Sequence, residues 1–169
     1  TESCESEGRS WLPHGETCYF PVDLQRTAAL RISRVREGER EVAVIEIEGY
    51  PYPVQHVTVE RSYVELSPAD LERSRVESGR IGALWSLDSA RRFDLPLGPP
   101  LRSVPEARNF GSRRVFNGQP RNPHSGADFS ARVGTEVVAT ADGVVVLAEE
   151  HFFGGKSVFL DHGDGLISM

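Results

Sequence analysis

The run Leu95-Pro96-Leu97-Gly98-Pro99-Pro100 limits this chain more than any other stretch. Proline fixes φ at about −65° and has no amide proton, so the segment from Phe93 to Arg108 suits neither a central strand nor a helix interior. It is read as a linker. Upstream, short strands are expected at Ala29-Leu30-Arg31-Ile32, from Val42 to Glu48 and from Val54 to Glu60. In the second of these, Val44, Glu46 and Glu48 share one face while Ala43, Ile45 and Ile47 share the other, the alternation of a half-buried antiparallel strand. Gly38-Glu39 and Gly49-Tyr50-Pro51-Tyr52-Pro53 supply turn chemistry between them. These spacings predict a small N-terminal β-sandwich-like domain over residues 1–66.

Ser67-Pro68-Ala69-Asp70 reads as a helix start, with Ser67 as N-cap and proline in the first turn. The helix is expected to run to about Trp85, with Gly79 and Gly82 as interruptions. Its apolar points, Leu71 and Val76, are sparse, which suits a bridge more than a core element. Helix and linker together occupy residues 67–108. Beyond them, residues 109–169 give two apolar strands between Thr135 and Glu149 around Ala141-Asp142-Gly143, and a third from Lys156 to Asp161 after Gly154-Gly155. The fold class is therefore mainly β.

Net charge is −6, with 19 basic residues scattered among 25 acidic ones, so no polyanion-binding footprint is present and nucleic acid is not an expected partner. No apolar run is long enough to span a bilayer. The polar start Thr1-Glu2-Ser3-Cys4 is read as a processed or trimmed terminus. Cys4 and Cys18 are close enough in sequence to close a ring, and a disulfide there would stabilise by about 3 kcal/mol. The other reading is two free thiols. A bond would imply an oxidising compartment. Tyr50, Tyr52, Tyr63 and Trp11 form either a glycan-stacking surface or ordinary core packing.

The segment Asn122-Pro123-His124-Ser125-Gly126-Ala127-Asp128-Phe129 carries the chemistry. Zinc takes histidine nitrogen and aspartate oxygen at about 2.0–2.2 Å. Four residues apart on a straight strand, two side chains lie roughly 13 Å from one another, so the chain must curl for His124 and Asp128 to share an ion. Gly126 permits unusual φ values, and Pro123 disfavours helix just before His124. On spacing alone, a loop histidine beside a surface carboxylate remains the plainer reading. Arg114 and Asn117, which precede the motif, are candidates to line a substrate cleft or are parts of a structural loop.

Phe110-Gly111-Ser112-Arg113-Arg114-Val115-Phe116-Asn117-Gly118-Gln119-Pro120-Arg121 leads into this motif. Gly134-Thr135-Glu136-Val137-Val138-Ala139, Ala141-Asp142-Gly143-Val144-Val145 and Leu160-Asp161-His162-Gly163-Asp164-Gly165-Leu166 follow it. In that order, over about residues 110–169, the chain resembles the lysostaphin/LytM-type zinc endopeptidases that cut peptidoglycan cross-bridges. The resemblance implies that His124 and Asp128 are the first two zinc ligands. It implies a partial antiparallel β catalytic domain, Zn2+ as cofactor, a peptidoglycan peptide as substrate and a periplasmic or extracellular location.

It also implies a catalytic histidine soon after Leu166-Ile167-Ser168-Met169 and a His-x-His pair further on, neither of which falls within this chain. His14, His56, His151 and His162 do not stand in such a motif, and His162 sits in a strand-to-turn context. The expected partner is thus the downstream half of the domain, truncated at Met169 here, or another chain covering residues 157–169. The alternative function is a catalytically silent envelope module that binds peptidoglycan or activates a separate hydrolase.

Overall fold

The computed structural model describes residues 2–61, 64–104, 107 and 109–169, so Tyr63 and Arg108 lie outside the described residues. The chain is mainly β. It forms two compact units, Thr1–Pro53 and Val54–Met169.

In the first unit, β1 (Ser3–Ser6), β2 (Arg9–Trp11), β3 (Leu30–Arg36) and β4 (Glu39–Ile45) make one antiparallel sheet in the order β2-β1-β3-β4. Glu7-Gly8 and Glu37-Gly38 close its hairpins, all four at positive φ. Positive φ at both loop positions is what the tight hairpin turn matching strand twist requires. Cys4 and Leu30 are buried, and Cys4 is disulfide-bonded to Cys18 with Cα atoms 5.6 Å apart. Trp11 packs edge-on against Phe20 and donates its indole N–H to the Tyr19 carbonyl. So little apolar volume is enclosed that the cross-link takes on much of the stabilisation, as small units generally require.

Two expectations change here. The sandwich reduces to a single sheet, because β5 (Val54–Val57) pairs in parallel with a strand of the second unit, β6 (Arg113–Phe116). Strand β4 is exposed along its whole length, with Val44 56% accessible, and Glu46 to Glu48 fall outside it. Alternation identifies two faces of a strand but does not provide anything to cover them. Tyr50 and Tyr52 meet in a tilted contact with ring centroids 4.7 Å apart, and Tyr50 is exposed.

In the second unit, β5, β6 and β7 (Gln119–Pro120) form one sheet. The other contains β8 (Val144–His151), β9 (Gly155–Gly163) and β10 (Leu166–Ser168), in the order β10-β9-β8. Asn117-Gly118 and Asp164-Gly165 close hairpins with the same paired positive φ as in the first unit. Strand β9 is central and paired on both sides, so the apolar Val158-Phe159-Leu160 is not an open edge, and Phe159 is fully buried. Thr135 to Thr140, expected as a strand, has no regular structure.

Helix α1 (Pro68–Leu84) begins as expected, with the Ser67 hydroxyl accepting from the Asp70 amide at 3.1 Å. It passes unbroken through Gly79 and Gly82 and buries none of its residues. It belongs to the second unit and is held to β8 by polar contacts. Arg80 pairs with Glu149, Arg73 donates to the Glu150 carbonyl, and the Phe152 amide donates to Glu77. These contacts bind it to the sheet in place of the expected bridge.

The proline-rich segment has no regular structure, yet it is stitched down. Gly98 donates to the Thr140 carbonyl, Val138 donates to the Pro100 carbonyl, and Leu101 is buried. Just upstream, Arg92 donates to the His162 carbonyl and Asp164 to that of Ser89. The approach is so close that a Cβ on Gly163 would stand 2.0 Å from the Ala90 carbonyl oxygen. Residues 89–100 therefore form a strap across the second unit.

Candidate functional site

The β6–β7 hairpin turns the chain back so that residues after β7 run beside the start of β6. Arg121 donates to the Arg114 carbonyl, His124 donates to the Ser112 carbonyl at 2.9 Å, and Gly111 donates to the His124 carbonyl at 2.7 Å. His124 is thereby fixed by its backbone on both sides. Gly126 is not among the positive-φ residues, so the curl towards Asp128 needs no left-handed glycine. The curl is held instead by Asn109, which the sequence reading passed over.

His124 and Asp128 come together, with Nε2 and Oδ1 3.3 Å apart. The outer atoms of both are engaged. Imidazole Nδ1 donates to the Asn109 carbonyl at 3.2 Å, which leaves Nε2 as the ring nitrogen facing Asp128. Carboxylate Oδ2 accepts from Asn109 Nδ2 at 2.5 Å and from Arg114 at 3.3 Å, and the Asp128 amide donates to Asn109 Oδ1 at 3.0 Å. The His124 side chain is 16% accessible and that of Asp128 65%, so the pair opens to solvent at the carboxylate end.

This donor set fits half of a zinc site. Two ligand atoms at about 2.0–2.1 Å from a tetrahedral ion stand about 3.3–3.4 Å apart, the separation found between Nε2 and Oδ1. A histidine ligand that donates its other ring N–H to a carbonyl, and a carboxylate ligand held by its second oxygen, are the usual outer arrangement of such sites. Among the described residues, no group of three or more His, Cys, Asp or Glu side chains is placed to hold a metal ion.

Of the two residues expected to line a cleft, only Arg114 is near the pair, and its guanidinium rests on Asp128. Asn117 is committed elsewhere. It has positive φ at the hairpin turn, and its side-chain amide binds both the N–H and the carbonyl of Val59.

The other histidines do not join the pair. His162 is fully buried, with Nδ1 donating to the Asp142 carbonyl and Nε2 accepting from the Ser168 hydroxyl, each at 2.7 Å. Beside it, Asp161 accepts from the Ser89 hydroxyl at 2.6 Å and from the Gly163 amide at 2.9 Å. The Ser89 hydroxyl first, then the Gly163 amide, and also the Arg92 charge hold the Asp161 carboxyl below its ordinary pKa. His151 is buried at the end of β8 against the Phe159 ring, His56 lies on β5, and His14 exchanges backbone hydrogen bonds with Thr17.

Comparison with known proteins gives likenesses of three kinds, to a family, to a curated protein and to a solved structure. Residues 122–169 match peptidase family M23. The peptidoglycan DD-endopeptidase ShyA of Vibrio cholerae is 40% identical over 57 residues, which are 33% of this chain and 13% of that protein. A crystal structure described as a peptidase M23 from Pseudomonas aeruginosa superposes with a TM-score of 0.63 at 22% identity, over 98% of this chain and 64% of that one. The chain thus spans less than two thirds of either relative. The LytM-type resemblance and the mainly β fold hold.

Proposed function

With residues 122–169 carrying the M23 pattern as the starting point, we propose that the protein is a zinc-dependent endopeptidase that cleaves peptide cross-bridges of bacterial peptidoglycan. One observation supports this most: within the family-matched segment, an imidazole nitrogen and a carboxylate oxygen face each other at 3.3 Å with their outer atoms already bound. Those two side chains would hold the ion.

When bound, zinc supplies Lewis acidity towards a scissile carbonyl and lowers the pKa of a bound water towards neutrality. The chain's own residues prepare for that. The Asn109 carbonyl accepts from Nδ1 and leaves Nε2 as the ring nitrogen turned towards Asp128. Asn109 and Arg114 hold Oδ2 and turn Oδ1 inward. The solvent-open carboxylate side leaves room for a peptide to approach. In this reading His124 and Asp128 are two of the protein ligands of a catalytic zinc, which ordinarily has three.

A peptidoglycan substrate places the protein in the periplasm or outside the cell, which agrees with the Cys4–Cys18 bond. No helix among the described residues is long and apolar enough to cross a membrane.

The rival reading is a silent wall-binding or hydrolase-activating module, and it draws support from one fact: only two donors converge among the described residues. The two are separated by zinc content and by release of soluble peptides from purified peptidoglycan, measured on the native protein and on His124→Ala and Asp128→Ala. The endopeptidase reading expects near-stoichiometric zinc and peptide release, both lost in each variant. Wall binding with no zinc and no release would favour the silent module.

A further inference from the structure

We propose that Asn109 is the positioning residue of the His124–Asp128 pair, an inference that rests on the zinc reading above. Asn109 is the residue that touches both donors. Its carbonyl accepts from His124 Nδ1, its Oδ1 accepts the Asp128 amide, and its Nδ2 donates to Asp128 Oδ2. The same carbonyl also accepts from the Ser112 amide at 3.1 Å, which ties the brace to the backbone that fixes His124.

The functional consequence follows from which atoms are bound. A histidine left to itself exchanges its proton between Nδ1 and Nε2, and an exposed aspartate samples several rotamers. Asn109 removes both freedoms at once. It bonds the atoms that face away from the pair and leaves Nε2 and Oδ1 directed at each other. Arg114 also reaches Oδ2, at 3.3 Å, but its guanidinium has no bond to His124, so it balances charge without setting the pair's geometry. Restraint of this kind organises the ligands before the ion arrives, and losing it ordinarily weakens metal binding by about 10–100-fold.

The test uses Asn109→Ala and Asn109→Leu in the native protein, both of which keep the backbone carbonyl at His124 and remove the side-chain bonds to Asp128, the second with a side chain of the same branched shape. Zinc affinity is measured by competition with a chromophoric chelator, backbone exchange at the Asp128 amide is followed without metal, and melting is recorded for each protein. The expected result is faster exchange at Asp128 and zinc affinity lower by about 10–100-fold in variants that melt close to the parent. A folded variant with parental zinc affinity overturns the proposal. So does loss of the fold in both variants, since Asn109 would then support the scaffold as a whole. If the parent binds no zinc, the functional reading fails by itself. The brace is then decided by the Asp128 amide, with unchanged exchange in both variants overturning it and faster exchange supporting it.

Discussion

The second unit contains two histidine–aspartate neighbourhoods, and they are wired in opposite ways. At His162 and Asp161, each ring nitrogen and each carboxylate oxygen has a partner inside the protein, and both residues are buried. At His124 and Asp128, the bonds go to Nδ1 and Oδ2, while Nε2 and Oδ1 are left to each other and the carboxylate is mostly exposed. The first arrangement spends its polar capacity on tying strand β9 to the strap through Ser89, to Asp142 and to β10 through Ser168. The second keeps one donor atom on each side chain in reserve. The two pairs share their residue types and differ in the direction of the unspent atoms.

Replacement of the open pair should produce the largest functional effect with little change in stability. His124→Ala or Asp128→Ala is expected to lower zinc affinity and peptide release by more than the roughly 100-fold that outer-shell changes reach. The exposed Asp128 position should shift stability by no more than about 0.5 kcal/mol. Chemical denaturation beside a zinc titration checks both, and a large loss of stability in Asp128→Ala would erase the contrast.

Asp161→Ala should do the reverse. It removes the acceptor of the Ser89 hydroxyl and the Gly163 amide, so it is expected to destabilise by about 2–3 kcal/mol. Zinc affinity of the folded fraction should stay at the parental value. A urea series with parallel zinc titration decides it.

Acid sharpens the comparison further. The folded Asp161 pKa is lowered, so its contribution is fully present above the unfolded value of about 3.9 and is lost as pH falls through the folded pKa. Urea midpoints of parent and Asp161→Asn should therefore differ at neutral pH and converge below about pH 4. A difference that stays constant down to the acid limit would show that the charge is not what matters. The smallest effect is expected from Ser89→Ala, about 1 kcal/mol, because it removes one neutral donor and leaves the Gly163 amide in place.

What the sequence disclosed was local. The Ser67 cap marked the helix start, and the strand end before Gly163-Asp164-Gly165 was readable as entering a turn. Asn117-Gly118 is a hairpin signal that was read instead as a candidate for a cleft, and His124 and Asp128 stood out through the family resemblance and not through their spacing. What it hid depends on distant partners. The parallel pairing of Val54–Val57 with Arg113–Phe116 joins segments with a helix and the strap between them, and no local pattern announces it. Asn109 was overlooked because an asparagine before Phe110-Gly111 looks like any loop residue until His124 and Asp128 fold back on it. Strand β4 misled because its alternation predicts a covered face, and nothing in seven residues says whether a second layer exists.

The strap also changes where this molecule can be divided. Cutting at residue 109, where the family likeness starts to be visible, would strip the partners from the His162 and Thr140 carbonyls and from the Val138 and Asp164 amides. It would also leave Gly163 facing solvent where the Ala90 backbone now sits. A portable fragment for engineering or grafting has to begin at Val54, with the helix and the proline run retained. The span that sequence similarity outlines and the span that behaves as a single part are different lengths of the same chain.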